Sequence, residues 1–466
     1  MGKQFDVVVI GGGPGGTPAA MALAAAGKKV LLAEKTGKLG GACLFTGCIP
    51  SKIVRKAADD FRLQSGGKKS GETSGEDVEA VWSLTRKKMD RILQGRSNGA
   101  LQKAKQLTNL AVIHGTAKFQ SEYQVEVIEE SGQSEIYDFK NALIAAGARS
   151  SVPPFKGSGV RDVLVSEDFF YQDKLPKSLV IIGGGPIGIE LAQMLAKFGV
   201  KCTIIEVMET VLFGVTSPAF IRLLTKTLEE AGVTVYTSCK VLEINRNNAG
   251  FSTDFIAPDG TTRSVQSEQV LVAAGKAPNI ESLNLGAAGI EFSKAGIITN
   301  EYLETTAKGV YAAGDVIQGP KFAHMATHEA LIATQNILQG NCQKIDFAKN
   351  SWVLFTDPEF MSAGYSEEDA AKAGFDVVTG EYNYIIDAAA QVHGIASGIL
   401  KFVVDKRTNI ILGVQAIVPG ADLIAGEAAL IVAQKLTLQD VAQTVHPHPT
   451  LTEAFGFLAL EMLRKR

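Results

Sequence analysis

At 466 residues the chain exceeds what one hydrophobic core sustains, and a composition 46% hydrophobic and 20% charged suits a globular protein of roughly three or four domains. A formal net charge of −3 offers no basic footprint for nucleic acid and no attraction to an anionic membrane. The longest apolar runs, such as residues 19–26, fall short of the ~20 residues of a membrane helix, and five cysteines are too few for a disulfide framework.

A strand is expected almost at once, over residues 5–10, leaving no room for a signal peptide, and Asp6 stands where a myristoylation motif needs Ser or Thr. The expectation is a soluble, cytoplasmic protein without membrane insertion or nucleic-acid partner. That strand runs into Gly11-Gly12-Gly13-Pro14-Gly15-Gly16, an Ala-rich helix to Ala26, and a second strand closed by Glu34. Strand, G-x-G-x-x-G, helix, strand and acid form the dinucleotide-binding fingerprint. Gly11 permits the tight turn, Gly13 lets a pyrophosphate approach the backbone, and Gly16 lets helix and strand pack closely. The helix N-terminus receives the phosphates, and Glu34 can accept from a ribose hydroxyl.

Residues 40–52 read GGACLFTGCIPSK. In a regular helix, positions five apart point roughly 500° round, so joining Cys43 to Cys48 requires a distorted first turn. Such a pair suits switching better than stapling, and a helix N-terminus would lower the thiol pKa. Two buried core cysteines remain the plain alternative at this point. An amphipathic helix follows, with Ile53, Ala57, Ala58 and Phe61 on one face. Residues 65–75 read as a mobile surface loop, residues 78–107 as a solvated helix pair, and the stretch to Asn141 as short β segments. Residues 142–147 form a strand with a small-residue turn, and Val152-Pro153-Pro154 marks a crossing into the next domain.

A second fingerprint opens at residue 179: Gly183, Gly185 and Gly188, a helix to Phe198, a strand, and Glu206. Glu206 stands as far from Gly183 as Glu34 does from Gly11, so the chain is expected to bind two dinucleotides. Glu206 would repel a 2′-phosphate, which favours NAD over NADP. Residues 270–275 repeat the strand-and-turn of 142–147, and VYAAGDV at 310–316 places Asp315 after a glycine at a strand end. Asp315 can bind polyol hydroxyls or simply cap the next segment. From Val353 the pattern becomes alternating strands, a hairpin turn around residues 405–409, and helices from Asp422: an α+β domain. Near the end, His446-Pro447-His448-Pro449-Thr450 precedes Glu453, an imidazole and a carboxylate in a proline-stiffened loop. Cys202, Cys239 and Cys342 read as ordinary thiols.

Over its whole length the chain resembles the FAD-dependent pyridine nucleotide-disulfide oxidoreductases, and within them most closely the dihydrolipoamide dehydrogenase branch. The motifs stand in family order: GGGPGG, GGACLFTGCIPSK, ALIAAG, GGGPIGIE, VLVAAGKAPN, VYAAGDV, FAHMATHEA, LFTDPEF and HPHPTLTE. The resemblance implies an α/β fold with two Rossmann-like dinucleotide-binding domains plus a C-terminal α+β dimerisation domain. Residues 1–150 and 276–346 would hold FAD, 151–275 NAD, and 347–466 the subunit interface. It assigns Gly11, Gly13, Gly16, Glu34, Lys52, Gly147, Asp315 and Ala323 to FAD, and Gly183, Gly185, Gly188, Glu206 and Gly275 to NAD.

By the same resemblance Cys43 is the interchange thiol that meets substrate, Cys48 faces the flavin, and Lys52 pairs with Glu190. His448 and Glu453 match the acid/base dyad, which enters the partner subunit's active site in a homodimer, with a cis peptide before Pro449. The implied reaction oxidises dihydrolipoamide on a lipoylated carrier domain or protein, as in a 2-oxo acid dehydrogenase or glycine cleavage complex, with reduction of NAD. The alternatives are a related NAD(P)H-dependent disulfide reductase and a flavin NADH oxidase or transhydrogenase. Departures from the family pattern are Phe45-Thr46 for Asn-Val, Ala146 and Ala274 for Thr, and Lys276-Ala277 for an arginine-containing pair.

Overall fold

The computed structural model describes residues 3–66, 75–214 and 217–465. Most of the loop expected over 65–75 lies at 67–74, outside the described residues. The chain divides into two compact units. One runs to Pro176 and resumes over Gln269–Ile345; the other joins Lys177–Glu268 to the chain from Asp346 onward.

The first unit is built on a sheet whose central strands are parallel, in the order Leu110–Ser121, Val30–Glu34, Val7–Ile10, Asn141–Ile144 and Val310–Ala312. Val7 to Ile10 and Val30 to Glu34 are buried at every position, which is why they read as unbroken apolar runs rather than alternating ones. Helices Gly16–Ala25 and Ala323–Gln339 pack on one another. The short β segments expected before Asn141 are antiparallel extensions: Leu110–Ser121 is 12 residues long and pairs with Gln124–Glu129, which pairs with Ser134–Asp138.

One expectation is corrected here. Residues 75–105 form a single helix of 31 residues, Gly75–Lys105, not a helix pair. Trp82, Thr85, Met89, Leu93, Ser97 and Ala104 are buried on one stripe at helical spacing, and that continuous stripe carries the helix through Gly95 and Gly99. The helix after the cysteines, Cys48–Gln64, buries Val54, Ala58 and Phe61, with Ile53 and Ala57 only half-buried beside them.

The second unit contains the parallel strands Ser178–Ile182, Lys201–Ile205 and Thr234–Tyr236, and an antiparallel meander from Lys240 to Ser267. Its other part is a five-stranded antiparallel sheet in the order Ser351–Leu354, Phe360–Gly364, Ile411–Ile417, Ile399–Asp405, Val377–Asn383. The hairpin expected at 405–409 is present, with Asn409 in the left-handed region at φ 62°. Helices Ala421–Ala433 and Glu453–Arg464 cover this sheet, with Phe402 and Phe455 stacked 5.9 Å apart.

Candidate active site

The two glycine turns are the same object built twice. Gly11 and Gly183 sit at φ 102° and 116°, where side chains are strained. A Cβ on Gly16 would lie 1.7 Å from the Gly11 carbonyl oxygen, and one on Gly188 would lie 2.0 Å from that of Gly183. These four glycines serve the chain's own packing. A Cβ on Gly13 would come no closer than 3.7 Å to anything, and one on Gly185 would meet nothing within 4 Å. Bare backbone beside open space at a helix N-terminus is what a bound pyrophosphate requires, so the residues present fit a dinucleotide at both turns.

Each acid grips its own turn. Glu34 is buried and accepts the Gly12 N–H at 2.6 Å through one oxygen and the Thr36 N–H at 2.9 Å through the other. Glu206 is buried likewise and accepts the Gly184 N–H at 2.5 Å and the Met208 N–H at 2.8 Å. A carboxylate has about four acceptor sites, so both retain capacity for ribose hydroxyls. Gly12 and Gly184 were missed in the sequence. A Cβ there would approach Leu39 to 2.8 Å and Val211 to 3.0 Å respectively. The middle glycine of GGGP, shared by both copies, was the available signal.

The segment after the first turn carries the thiols. Cys43 lies on the short helix Gly41–Phe45, Thr46 and Gly47 break it, and Cys48 opens Cys48–Gln64. This break supplies the distortion that the five-residue spacing demands. The two sulfurs hydrogen-bond to one another, with Cys43 partly buried and Cys48 exposed. The expectation of a lowered pKa is corrected for Cys43. Its hydrogen bond to Cys48, its burial and the charge on Cys48 push it well above the usual thiol range, against the opposing pull of Arg96 and Lys52. The pair gives up one proton far more readily than two.

Gly147 at φ 70° and Gly275 at φ 124° flank the paired strands Ala148–Ser150 and Lys276–Pro278, and a Cβ on either meets nothing within 4 Å. Lys276, one of the departures, ion-pairs with Glu167 at 2.7 Å. Burial alone would raise the Glu167 carboxyl, but Lys276 and Ser150 outweigh it and hold it at about 2. Asp315 is not a helix cap, since the next helix begins at Ala323 behind Phe322. Burial raises its carboxyl, against the pull of Lys321 and Lys276. Beneath its turn sits Glu329, unsuspected from the sequence. Glu329 is 1% exposed and accepts the Gly314 N–H at 2.5 Å; burial is the largest influence, and its carboxyl is pushed up to about 7.

In the second unit Glu190, on helix Pro186–Lys197, accepts the Phe355 N–H at 2.8 Å. His448 and Glu453 come together as expected: Nδ1 lies 3.1 Å from each carboxylate oxygen, and the His448–Pro449 peptide is cis. Glu453 also accepts the Thr450 N–H at 3.0 Å, and that bond, followed by His448, holds its carboxyl below the usual range. His446 pairs instead with Glu427 at 2.8 Å, which separates it from the dyad.

The sequence profile of pyridine nucleotide-disulphide oxidoreductases matches residues 5–330, and that family's dimerisation domain matches residues 350–459. The chain belongs to the pyridine nucleotide-disulphide oxidoreductases. It is 35% identical to the dihydrolipoyl dehydrogenase of Thermus scotoductus over 100% of this chain and 98% of that one. It is 34% identical to one from Bacillus subtilis, over 99% and 98%. It is 33% identical to one from Geobacillus stearothermophilus, over 97% and 94%. Its fold matches the HOCl-induced flavoprotein disulfide reductase RclA from Escherichia coli in its Cu(II) complex, with a TM-score of 0.86 at 24% identity over 99% and 100% of the two chains. As in this family, its cofactors are FAD and NAD. No helix among the described residues is long and apolar enough to cross a membrane.

Proposed function

We propose that this oxidoreductase oxidises dihydrolipoamide carried on a lipoylated protein and reduces NAD, with Cys43 and Cys48 as its redox pair. The observation that carries this reading is the pair itself, two hydrogen-bonded sulfurs at a break between helices, beside a glycine turn open to a dinucleotide. The names of the three relatives support the substrate.

The steps follow from the chain's own groups. His448, oriented by Glu453, takes the proton of one substrate thiol. The resulting thiolate attacks the Cys43 sulfur of the disulfide, and Cys48 leaves as a thiolate. The second substrate thiol then displaces Cys43, which completes lipoamide and leaves both protein sulfurs reduced. FAD, when bound, supplies the two-electron relay between this pair and NAD. Gly11, Gly13, Gly16, Glu34, Lys52, Gly147, Asp315 and Ala323 hold FAD in this reading, and Gly183, Gly185, Gly188, Glu206 and Gly275 hold NAD.

The His448 side chain is 71% exposed while Glu453 beneath it is 12% exposed. An imidazole fixed outward by a sheltered carboxylate suits a site on another subunit. With the dimerisation domain at 350–459, this supports a homodimer in which each His448 serves its partner's cysteines. The partner is a lipoylated carrier of a 2-oxo acid dehydrogenase or glycine cleavage complex, in the cytoplasm, where NAD-linked thiol chemistry is at home. Anaerobic incubation of the holoenzyme with dihydrolipoamide and NAD should form NADH in step with lipoamide; no NADH would overturn the substrate reading.

A further inference from the structure

The break between the two cysteines receives a hydrogen bond from far along the chain. The Tyr171 hydroxyl donates to the Phe45 carbonyl at 2.7 Å, across 126 positions of sequence. Phe45 ends the short helix Gly41–Phe45, so its carbonyl lacks a partner within that helix. Local bonds also hold the turn: the Thr46 N–H donates to Ala42 at 2.8 Å, and the Ser51 N–H donates to Gly47 at 3.1 Å. Lys38 lies 5.5 Å from the centre of the Phe45 ring.

Tyr171 projects from a segment anchored at both ends. Upstream, Glu167 is held by Lys276 at 2.7 Å and by the Ser150 N–H at 2.9 Å. Phe169 and Phe170 are buried, and Phe169 packs against Trp82 on helix Gly75–Lys105 with ring centres 6.3 Å apart. Downstream, the Trp82 indole N–H donates to the Gln172 carbonyl at 2.9 Å, and Arg86 ion-pairs with Asp173 at 2.6 Å. The phenol is thus presented from a fixed base. Tyr171 is 42% exposed; partial burial, followed by the Asp90 charge, raises its pKa above the ordinary value, and a phenol is in any case an O–H donor at neutral pH.

We propose that Tyr171 is a positioning residue for the redox pair, holding the 45–47 turn so that the Cys43 and Cys48 sulfurs stay within closing distance. This rests on the reading of those cysteines as a redox couple. Closing the disulfide releases two protons and two electrons to an oxidant and fixes the turn covalently. A clamp that already fixes the turn in the dithiol lowers the conformational cost of closure. Without the clamp the dithiol gains freedom that the disulfide cannot match, so the equilibrium moves toward dithiol.

The test is equilibration of holoenzyme with oxidised and reduced dithiothreitol, followed by trapping of free thiols and mass analysis of the Cys43–Cys48 peptide. Each disulfide formed reduces one oxidised dithiothreitol to its dithiol. Tyr171→Phe, which keeps the ring and removes the donor, should lower the disulfide-forming equilibrium roughly five- to tenfold, the worth of one hydrogen bond, tenfold being about 30 mV. Tyr123→Phe, an exposed tyrosine in the hairpin after Leu110–Ser121, should leave it unchanged. A Tyr171→Phe equilibrium within twofold of the wild type, or shifted toward disulfide, overturns the inference. If the wild-type pair fails to interconvert at all, the redox reading falls instead.

Discussion

The glycine turns at 11–16 and 183–188 match beyond the motif that reveals them. The Gly40 N–H donates to Gly12 at 2.7 Å where the Leu212 N–H donates to Gly184 at 3.0 Å. Leu39 crowds Gly12 as Val211 crowds Gly184. Both segments return over the turn in a left-handed or neighbouring conformation, Gly40 at φ 127° and Leu212 at φ 49°. They part at the next step. The first continues directly into Gly41–Phe45, with Gly41 against Gly13, and so delivers the cysteines beside the turn. The same turn is built twice, and the thiols are attached to the exit of the first.

Four sets of substitutions break or sharpen that comparison. Gly16→Ala and Gly188→Ala place a methyl inside a backbone carbonyl's radius, so each should cost at least about 3 kcal/mol and empty its own site. Thermal unfolding and bound-cofactor content read this out. Glu34→Ala and Glu206→Ala each orphan two N–H donors, at about 1–3 kcal/mol per buried donor, with FAD affinity falling in the first and NAD affinity in the second. Equal losses of stability with losses of different cofactors would show that the grip is shared and the ligand is not.

Glu329 adds a pH dependence to the first site. Its folded pKa of about 7 lies above the ordinary 4.5, so the folded apoprotein holds this proton more tightly than the unfolded chain does. Its contribution is complete below about pH 4.5 and is lost as pH rises through 7, on the order of 2 kcal/mol. Glu329→Gln should remove that fall, as chemical unfolding at pH 5 and pH 8 would show. The smallest effect expected is from Gly13→Ala and Gly185→Ala. Each should leave stability unchanged and weaken FAD or NAD binding, respectively, about tenfold, or about 1.4 kcal/mol, by filling space meant for pyrophosphate. A drop in unfolding temperature for either would mean the open space is structural.

The parts legible in the sequence are those that covalent spacing decides. Gly11 to Glu34 and Gly183 to Glu206 announce themselves because a tight turn, a close approach and an acid need particular residues at fixed offsets. His448 and Glu453 stand in one short loop, but it is the family resemblance that picks His448 over His446 and gives the pair its role. What escaped depends on partners far away in the chain. Tyr171 meets Phe45 across 126 positions of sequence, and the long helix reads as a solvated pair because its charges are plain in the sequence while the buried stripe that runs past Gly95 and Gly99 is not. Glu329 reads as an ordinary helix acid until burial beneath Gly314 sets its proton affinity. The thiol expectation fails for a related reason: the hydrogen bond to Cys48, the burial and the Cys48 charge that raise Cys43 are not visible in the five-residue spacing.

The central claim is that electrons reach NAD only through Cys43 and Cys48. Anaerobic stopped-flow mixing of FAD-loaded Cys48→Ser with dihydrolipoamide and NAD tests it most directly. NADH formation should fall on the order of a thousandfold below the wild type while FAD stays bound; NADH formed at the wild-type rate would contradict the claim.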